Sequence, residues 1–557
     1  MEEKNKFHIP ASEHPKALAP RILILNLALC ILGAIIGMEL IVRTGVTANT
    51  SIVGALFAIV LSRIPLKIFK GYRSVHEQNL VQTAISGATF SAANTLILPI
   101  GIPVIMGCPE LMYPMLIGVF VATIIDAAIL YKTFDTPMFP AEGAWAPGVA
   151  SAETIMAVVN KGKKAMLLLV GIGMGVVGKM AGLPMDLLGV SWFANFGAMA
   201  ALAAGSIVIG IIKTNAFSFS IFGHGFTFVS NIFGEGFNYS SHAMLNYMPH
   251  GVMIGAGIVA LIQCMMILTK KDKGEGGKES AMSQFTTSMA SMKKALGGGF
   301  AAYLVASLVL AIITGIASDM GVGMLILWII FTAFAAIASE LIVGISAMHS
   351  GWFPGFATAL IFLLVGMLIG FPAMPLALMV GFTSATGPAF SDMAYDLKCG
   401  YMLRGYGSDR ELELAGRKQQ FICEIFGFVV AAIVVALMAN KYFDQGLFAP
   451  AANSFVVTIE AGTNAEVAKA LLIWAIPGAI LQFIGGERQL GILFATGLLV
   501  GSTINGLTIL VALIIRLVYV KKNAERAETL TILGAGSLAG AALYSFFTAT
   551  LALGKKK

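Results

Sequence analysis

Between His76 and Thr89 the chain reads His-Glu-Gln-Asn-Leu-Val-Gln-Thr-Ala-Ile-Ser-Gly-Ala-Thr. At helical spacing Gln78, Gln82, Ser86 and Thr89 share one face, with Asn79 and Thr83 beside them, while Leu80, Ala84 and Ala88 fall elsewhere. Amides and hydroxyls in a file donate and accept hydrogen bonds. Glu77 at their head adds a carboxyl that can take up a proton and release it when an ammonium or other cation approaches. Further ionisable groups stand in or near apolar runs: Asp126, Asp135, Glu142, Glu153, His224, Glu235, His242, His250, Glu340, His349, Asp392 and Glu424. A lone charge in hydrocarbon costs on the order of 3 kcal/mol or more, so such residues tend to face a pathway.

The elements that must position these groups are membrane helices. Hydrophobic residues make up 57% of the 557, charged residues only 12%, and the mean hydropathy is +0.86. Apolar runs of about twenty residues, the length that crosses a bilayer, recur from Pro20 to Leu553. The pattern predicts an all-α polytopic transmembrane bundle of about 14–16 spans, its last third the least regular because Gly491–Val520 reads as one long helix or as two pieces broken at Gly501-Ser502-Thr503. A helix that keeps a polar face inside such a bundle meets protein or a wet cavity, since lipid satisfies neither amide nor hydroxyl.

The net charge of +7 does not indicate nucleic acid, because the basic residues gather in short segments between apolar runs, as in cytoplasmic loops. Lys4, Lys6, Lys16 and Arg21 precede the first span; Arg63, Lys67, Lys70 and Arg73 follow the second; Lys161, Lys163 and Lys164 precede another. Together with the lysines of 270–294, the Arg404–Lys418 segment, Lys521-Lys522 and the terminal Lys555–Lys557, they place the N-terminus in the cytoplasm of a protein expected in the plasma (inner) membrane. Residues 1–20, with acids, two histidines and prolines, read as a cytoplasmic tail and not as a cleaved signal peptide. Cys30, Cys108, Cys264, Cys399 and Cys423 lack paired spacing and read as packing residues.

Residues 270–296 form a polar linker between an N-terminal half, 21–269, and a C-terminal half, 297–557. Three matches recur in order across it. Glu77 aligns with Glu340 and Phe90 with Phe353; Thr136-Pro137-Met138-Phe139 aligns with Gly387-Pro388-Ala389-Phe390; Gly162-Lys163-Lys164 aligns with Gly416-Arg417-Lys418. Two homologous halves are the expected organisation. Proline and glycine interrupt Phe134–Ala150, Phe217–Phe237, Gly351–Gly355 and Gly381–Asp392, which predicts re-entrant or broken helices there.

A family resemblance covers the chain from about Arg21 to Ala549. Glu77-Gln-Asn-Leu-Val-Gln82-Thr83 resembles the signature of the oligopeptide transporter superfamily, which includes the Yellow Stripe-like metal-chelate transporters. Asp396-Leu397-Lys398-Cys399-Gly400, followed by Arg417-Lys418-Gln419, is similar to that family's second-half motif. The resemblance implies secondary transport, normally proton-driven, of small peptides or of metals on amino-acid-derived chelators.

The residue-level expectations fit that class. Gln78, Asn79, Gln82, Ser86, Asn94, Glu142, Glu153, His349 and Asp392 are candidate substrate contacts, and Glu77, Glu340 and His224 candidate proton-handling groups. Each has a plainer alternative. Glu77, with Lys70 and Arg73 close by, equally suits the start of a helix at headgroup level; either histidine equally suits a satisfied structural position. Asp126 and Glu235 read rather as capping or solvated residues, Trp145 as an interfacial aromatic, and Lys398 as a loop charge.

No His-x3-His or Cys-x2-Cys pair supports a protein-built transition-metal cage, and no cofactor is expected; a pre-chelated metal would need only hydrogen-bonding groups. Proton-coupled import of small peptides or peptide-like chelates by alternating access is the leading expectation, a sodium-coupled or uncoupled carrier its nearest rival. Gly-rich apolar faces leave room for a homodimer. An intramembrane enzyme is disfavoured, since neither His-Glu-x-x-His nor a recognisable nucleophile setting occurs, and the sequence from Gly274 to Lys278 lacks the spacing of a nucleotide-binding loop.

Overall fold

Lipid offers no partner to a peptide group, so an apolar segment of this length is stable only when its backbone bonds to itself. The computed structural model describes residues 7–44, 74–159, 163–269, 285–351, 353–462, 465–520 and 523–552. The expectations for Lys4, Lys6, Arg63, Lys67, Lys70, Arg73, Lys161, most of the polar linker, Lys521-Lys522 and Lys555–Lys557 fall outside these residues. Among the described residues ten helices are long and apolar enough to cross a membrane, and four shorter apolar helices accompany them. The architecture is an all-α polytopic bundle.

Two of the ten stand apart. Val75–Ile105 and Ala373–Leu403 are each 31 residues long and bury 89% of their apolar window inside the protein. They form the centre of the bundle, and both are interrupted. The first is α-helical over Val75–Phe90, passes through a π-helical segment at Ser91–Ile97, and resumes at Leu98–Ile105. The second breaks at Thr386-Gly387, where Gly387 takes φ +87°, between helices Ala373–Ala385 and Pro388–Leu403. That break lies inside the predicted Gly381–Asp392 interruption. Against these two pack the helices Pro20–Thr44, Met112–Thr133 and Arg410–Phe443.

Elsewhere helices approach to backbone contact. Along the packed pair Met248–Thr269 and Ala465–Ile484, a Cβ on Gly255 would stand 1.8 Å from the Ala475 carbonyl oxygen, and one on Gly478 2.0 Å from that of Val252. Association in lipid depends on such close packing, and small residues permit it. Gly491–Val520 resolves into two helices, Leu490–Val500 and Thr503–Val520, separated at Gly501-Ser502.

Three expectations are corrected. Phe217–Phe237 is not a broken helix: Ala216–Ile221 and His224–Ser230 pair as an antiparallel hairpin with Ile221 opposite His224. Phe222 and Gly223, both at positive φ, make its two-residue turn, a geometry that matches strand twist; alternating Phe, Ser and Thr favour strand over helix. The Arg404–Lys418 segment is not a solvated loop, since the Arg410–Phe443 helix begins inside it and Arg404 and Arg417 are buried. Lys398, expected in a loop, lies in the Pro388–Leu403 helix at 5% exposure and donates from Nζ to the Ala141 carbonyl at 2.8 Å.

Candidate functional site

Every residue of the Val75–Phe90 helix is buried, and its polar file faces protein. Gln82 donates from Nε2 to Asp396 Oδ1, and Ser86 from Oγ to Asp392 Oδ1 at 2.9 Å. Asp392 and Asp396, four residues apart, share one face of the Pro388–Leu403 helix. Glu424, from the Arg410–Phe443 helix, completes the group: one carboxyl oxygen from each of the three acids lies within 4.8 Å of the others. Exposures are 2% for Asp392 and 0% for Asp396 and Glu424. Gly87 gives the Glu424 carboxyl its space, since a Cβ there would lie 2.9 Å from Oε1.

A charged network adjoins this group. Gln420 donates from Nε2 to the Asp396 carbonyl oxygen at 2.6 Å and to Thr83 Oγ1 at 3.2 Å, and accepts from Arg404 Nη1 at 2.8 Å. Arg404 and Arg417 both bind Glu413, at 2.7 and 3.1 Å. Arg417 also donates to Thr286 Oγ1 at 2.9 Å, and Thr286 donates its backbone N–H to Asp135 at 2.9 Å. The far end of the polar linker is thereby fastened to the bundle.

The break in the second central helix carries its own carboxyls. Asp126 Oδ2 accepts the backbone N–H groups of Gly387 and Phe390 at 2.9 and 2.7 Å. It is a capping residue, as expected, but one that is fully buried and caps a helix other than its own. Glu340 accepts the Tyr303 hydroxyl at 2.8 Å, and both are fully buried. Phe139 and Phe390, matched across the two halves in the sequence, meet edge to face with centroids 5.0 Å apart; Phe90 and Phe353 do the same at 5.0 Å.

A cavity of about 680 Å³ lies between the two central helices and the rest of the bundle. Asn94, on the π-helical segment, lines it, with Ser350, Phe353, Ser384 and Pro388 from the helix ends of the second half. A π turn re-aims side chains that a straight helix would direct elsewhere, and such turns cluster at functional positions. Lys179, Lys213, Asp186 and His250 add charge and titratable capacity to the same wall. Asp186 keeps one carboxyl oxygen without a hydrogen-bond partner. The volume falls within the range of sites for small organic ligands.

Of the predicted substrate contacts, Asn94 alone lines this cavity. Gln82, Ser86 and Asp392 are brought together in the carboxyl group, and Asn79 donates to Gln82 at 3.1 Å. Gln78 is buried beside them. Of the two settings open to such a face, protein or a wet cavity, Gln82 and Ser86 take the first, held by acids on the neighbouring helix. Glu142 is exposed on the segment joining two helices, Glu153 is partly exposed, and His349 is partly buried one residue from the cavity-lining Ser350.

Among the proton-handling candidates, Glu77 forms an ion pair with Arg21, Glu340 sits with Tyr303, and His224 is exposed on the hairpin. Trp145, expected at an interface, is fully buried against Phe134, Phe139 and Tyr395, its indole N–H on the Pro140 carbonyl at 2.9 Å.

Site roles for Asp396, Tyr303, Lys179, Asp186 and Lys213 are not among the sequence expectations, and Glu424 figures there only as an ionisable residue in an apolar run. The four-residue spacing of Asp392 and Asp396 was a signal for the first. Nothing local pairs Glu424 with them. Lys179 and Lys213 end helices, where a basic residue is ordinary.

The model of the family described as OPT oligopeptide transporter protein matches the chain over residues 17–260 and 202–552. A comparison with curated proteins gave no match.

Proposed function

The chain belongs to the oligopeptide transporter family, and from that premise we propose that it imports small peptides, or metal chelates built like them, by proton-coupled symport and alternating access in the plasma (inner) membrane. The observation that carries the reading is the cavity of about 680 Å³ with two lysines, Lys179 and Lys213, and one acid, Asp186, on an otherwise largely apolar wall. A small peptide presents a carboxylate and an ammonium joined by amides. Lys213 and Lys179 suit the carboxylate, Asp186 the ammonium, and Asn94 an amide.

Glu77 and Glu340 remain the proposed proton-handling pair. Support comes from their burial and from the exchangeable partners each has, Arg21 for Glu77 and Tyr303 for Glu340. The aromatic contacts between matched residues support two halves that meet at the centre, as rocking about a central site requires. On this reading the N-terminus faces the cytoplasm.

The test is uptake into liposomes containing the purified protein. An inward proton gradient is expected to concentrate a labelled tri- or tetrapeptide, or an iron or nickel chelate, and an uncoupler to abolish the concentration. Uptake indifferent to both pH and uncoupler would remove proton coupling; no uptake of any of these solutes would remove the substrate class.

A further inference from the structure

The three acids Asp392, Asp396 and Glu424 make up a site of their own. None of them lines the cavity, and their oxygens converge from two helices to within 4.8 Å. Two of the acids are oriented by neutral donors, Ser86 to Asp392 and Gln82 to Asp396. Glu424 is different. It is fully buried, and no donor from outside the group of acids reaches either of its carboxyl oxygens, whose polar neighbours are the carboxyls of Asp396 and Asp392. Buried polar atoms in folded proteins are nearly always satisfied, so a carboxyl that meets only two other acids marks the place of an electropositive partner. Gly87 keeps that place open, because any side chain there would press on Glu424 Oε1.

We propose that Asp392, Asp396 and Glu424 bind a hard cation of the size of Ca²⁺ or Na⁺. The ligand set is all oxygen, which such ions prefer and which suits softer transition metals poorly. Oxygens no more than 4.8 Å apart put the centre of their triangle within about 2.8 Å of each, so a small inward adjustment reaches the calcium range of about 2.3–2.6 Å, whereas Mg²⁺ demands shorter bonds and retains its water. Ser86 and Gln82 hold the two aspartates from outside, as partners around a metal site do. The site goes beyond the transport reading and stands without it. If that reading also holds, cavity and cation are linked through one rigid segment, since Pro388 lines the cavity and Asp392 lies one turn along the same helix.

Equilibrium binding of ⁴⁵Ca²⁺ to the purified full chain in detergent, without peptide and with choline chloride holding ionic strength constant, tests the site. Saturable binding of one ion per chain is expected, or, if the occupant is Na⁺, saturable binding of ²²Na⁺ that Ca²⁺ fails to displace. Glu424→Gln should weaken binding at least tenfold, and Glu110→Gln, on an exposed loop, should not change it.

Gly87→Ala, which alters no charge, should also weaken binding tenfold or more while eluting as wild type in size exclusion. This variant keeps the test decisive if Glu424→Gln does not fold. Absence of saturable binding of both ions, or binding that survives Glu424→Gln or Gly87→Ala, overturns the proposal. Failure of peptide uptake leaves this binding assay untouched, and failure of binding leaves peptide uptake to be judged by itself.

Discussion

Asp126 and Gly387, 261 residues apart, are joined by a 2.9 Å hydrogen bond from the Gly387 amide to the Asp126 carboxyl. The same oxygen takes the Phe390 amide at 2.7 Å. A helix interrupted inside a bilayer frees amides that lipid cannot satisfy, and here an acid on a neighbouring helix meets the positive end of the resumed helix. Asp126→Ala is expected to destabilise the protein by about 3 kcal/mol, two buried backbone amides being left without their acceptor. Asp126→Asn, which still offers an oxygen, should lose less than half as much. Thermal unfolding in detergent measures both.

The Arg404–Glu413–Arg417 cluster predicts a larger loss. Removing the central acid leaves two guanidinium groups buried at 1% and 2% exposure. Glu413→Gln should therefore cost about 3–5 kcal/mol, read from the same melting curves.

Close helix contact gives a steric prediction. A methyl at Gly255 would stand 1.8 Å from the Ala475 carbonyl oxygen, so the Met248–Thr269 and Ala465–Ile484 helices must separate to admit it. Gly255→Ala is expected to destabilise by about 1–3 kcal/mol. Substitution at Gly173, where a Cβ meets nothing within 4 Å, should change the melting temperature little.

The cavity lysines predict a kinetic signature. Lys213→Ala should raise the KM for a tripeptide by about tenfold to a hundredfold, the worth of one charge-assisted contact. A peptide amidated at its C-terminus should show a much smaller difference between wild type and variant. Initial uptake rates into liposomes provide the comparison.

The N-terminal segment predicts a pH dependence of stability. Burial, with Arg404 and His76 nearby, lowers the His14 pKa to about 3, while its Nδ1 contact with the Pro15 carbonyl at 3.0 Å works in the opposite direction. The unfolded chain takes up the proton below 6.5 and the folded chain does not until about 3. Stability from this group is thus complete above pH 6.5 and falls between 6.5 and 3 by about 1.4 kcal/mol per pH unit. His14→Gln should flatten the decline in melting temperature between pH 7 and pH 5; an unchanged decline would assign it to other groups.

Much of the architecture was legible because it follows from local chemistry. Twenty-residue apolar runs in lipid leave the backbone no choice but helix, and the proline and glycine at Gly381–Asp392 marked the break found at Gly387. The run of Phe and Ser after Asn215 is legible only in part: its glycines announce an interruption, but in a chain dominated by helical apolar runs so short an alternation carries little weight against helix, and only the pairing of Ala216–Ile221 with His224–Ser230 makes it strand.

What the sequence determined by itself is that this is a helical membrane protein with a polar helix at its heart and, through its motifs, the family to which it belongs. The tertiary structure decided where each polar group is spent. Gln82 and Ser86 carry the same donors wherever they face, and only the docking of the Pro388–Leu403 helix turned them toward acids rather than toward the cavity. Glu424 meets Asp392 and Asp396 because the Arg410–Phe443 helix packs against the Pro388–Leu403 helix at that level, and Lys179, Asp186 and Lys213 share a wall because the helix termini that carry them meet there. Local periodicity fixes which face of a helix is polar; only the packing of distant segments fixes what that face touches.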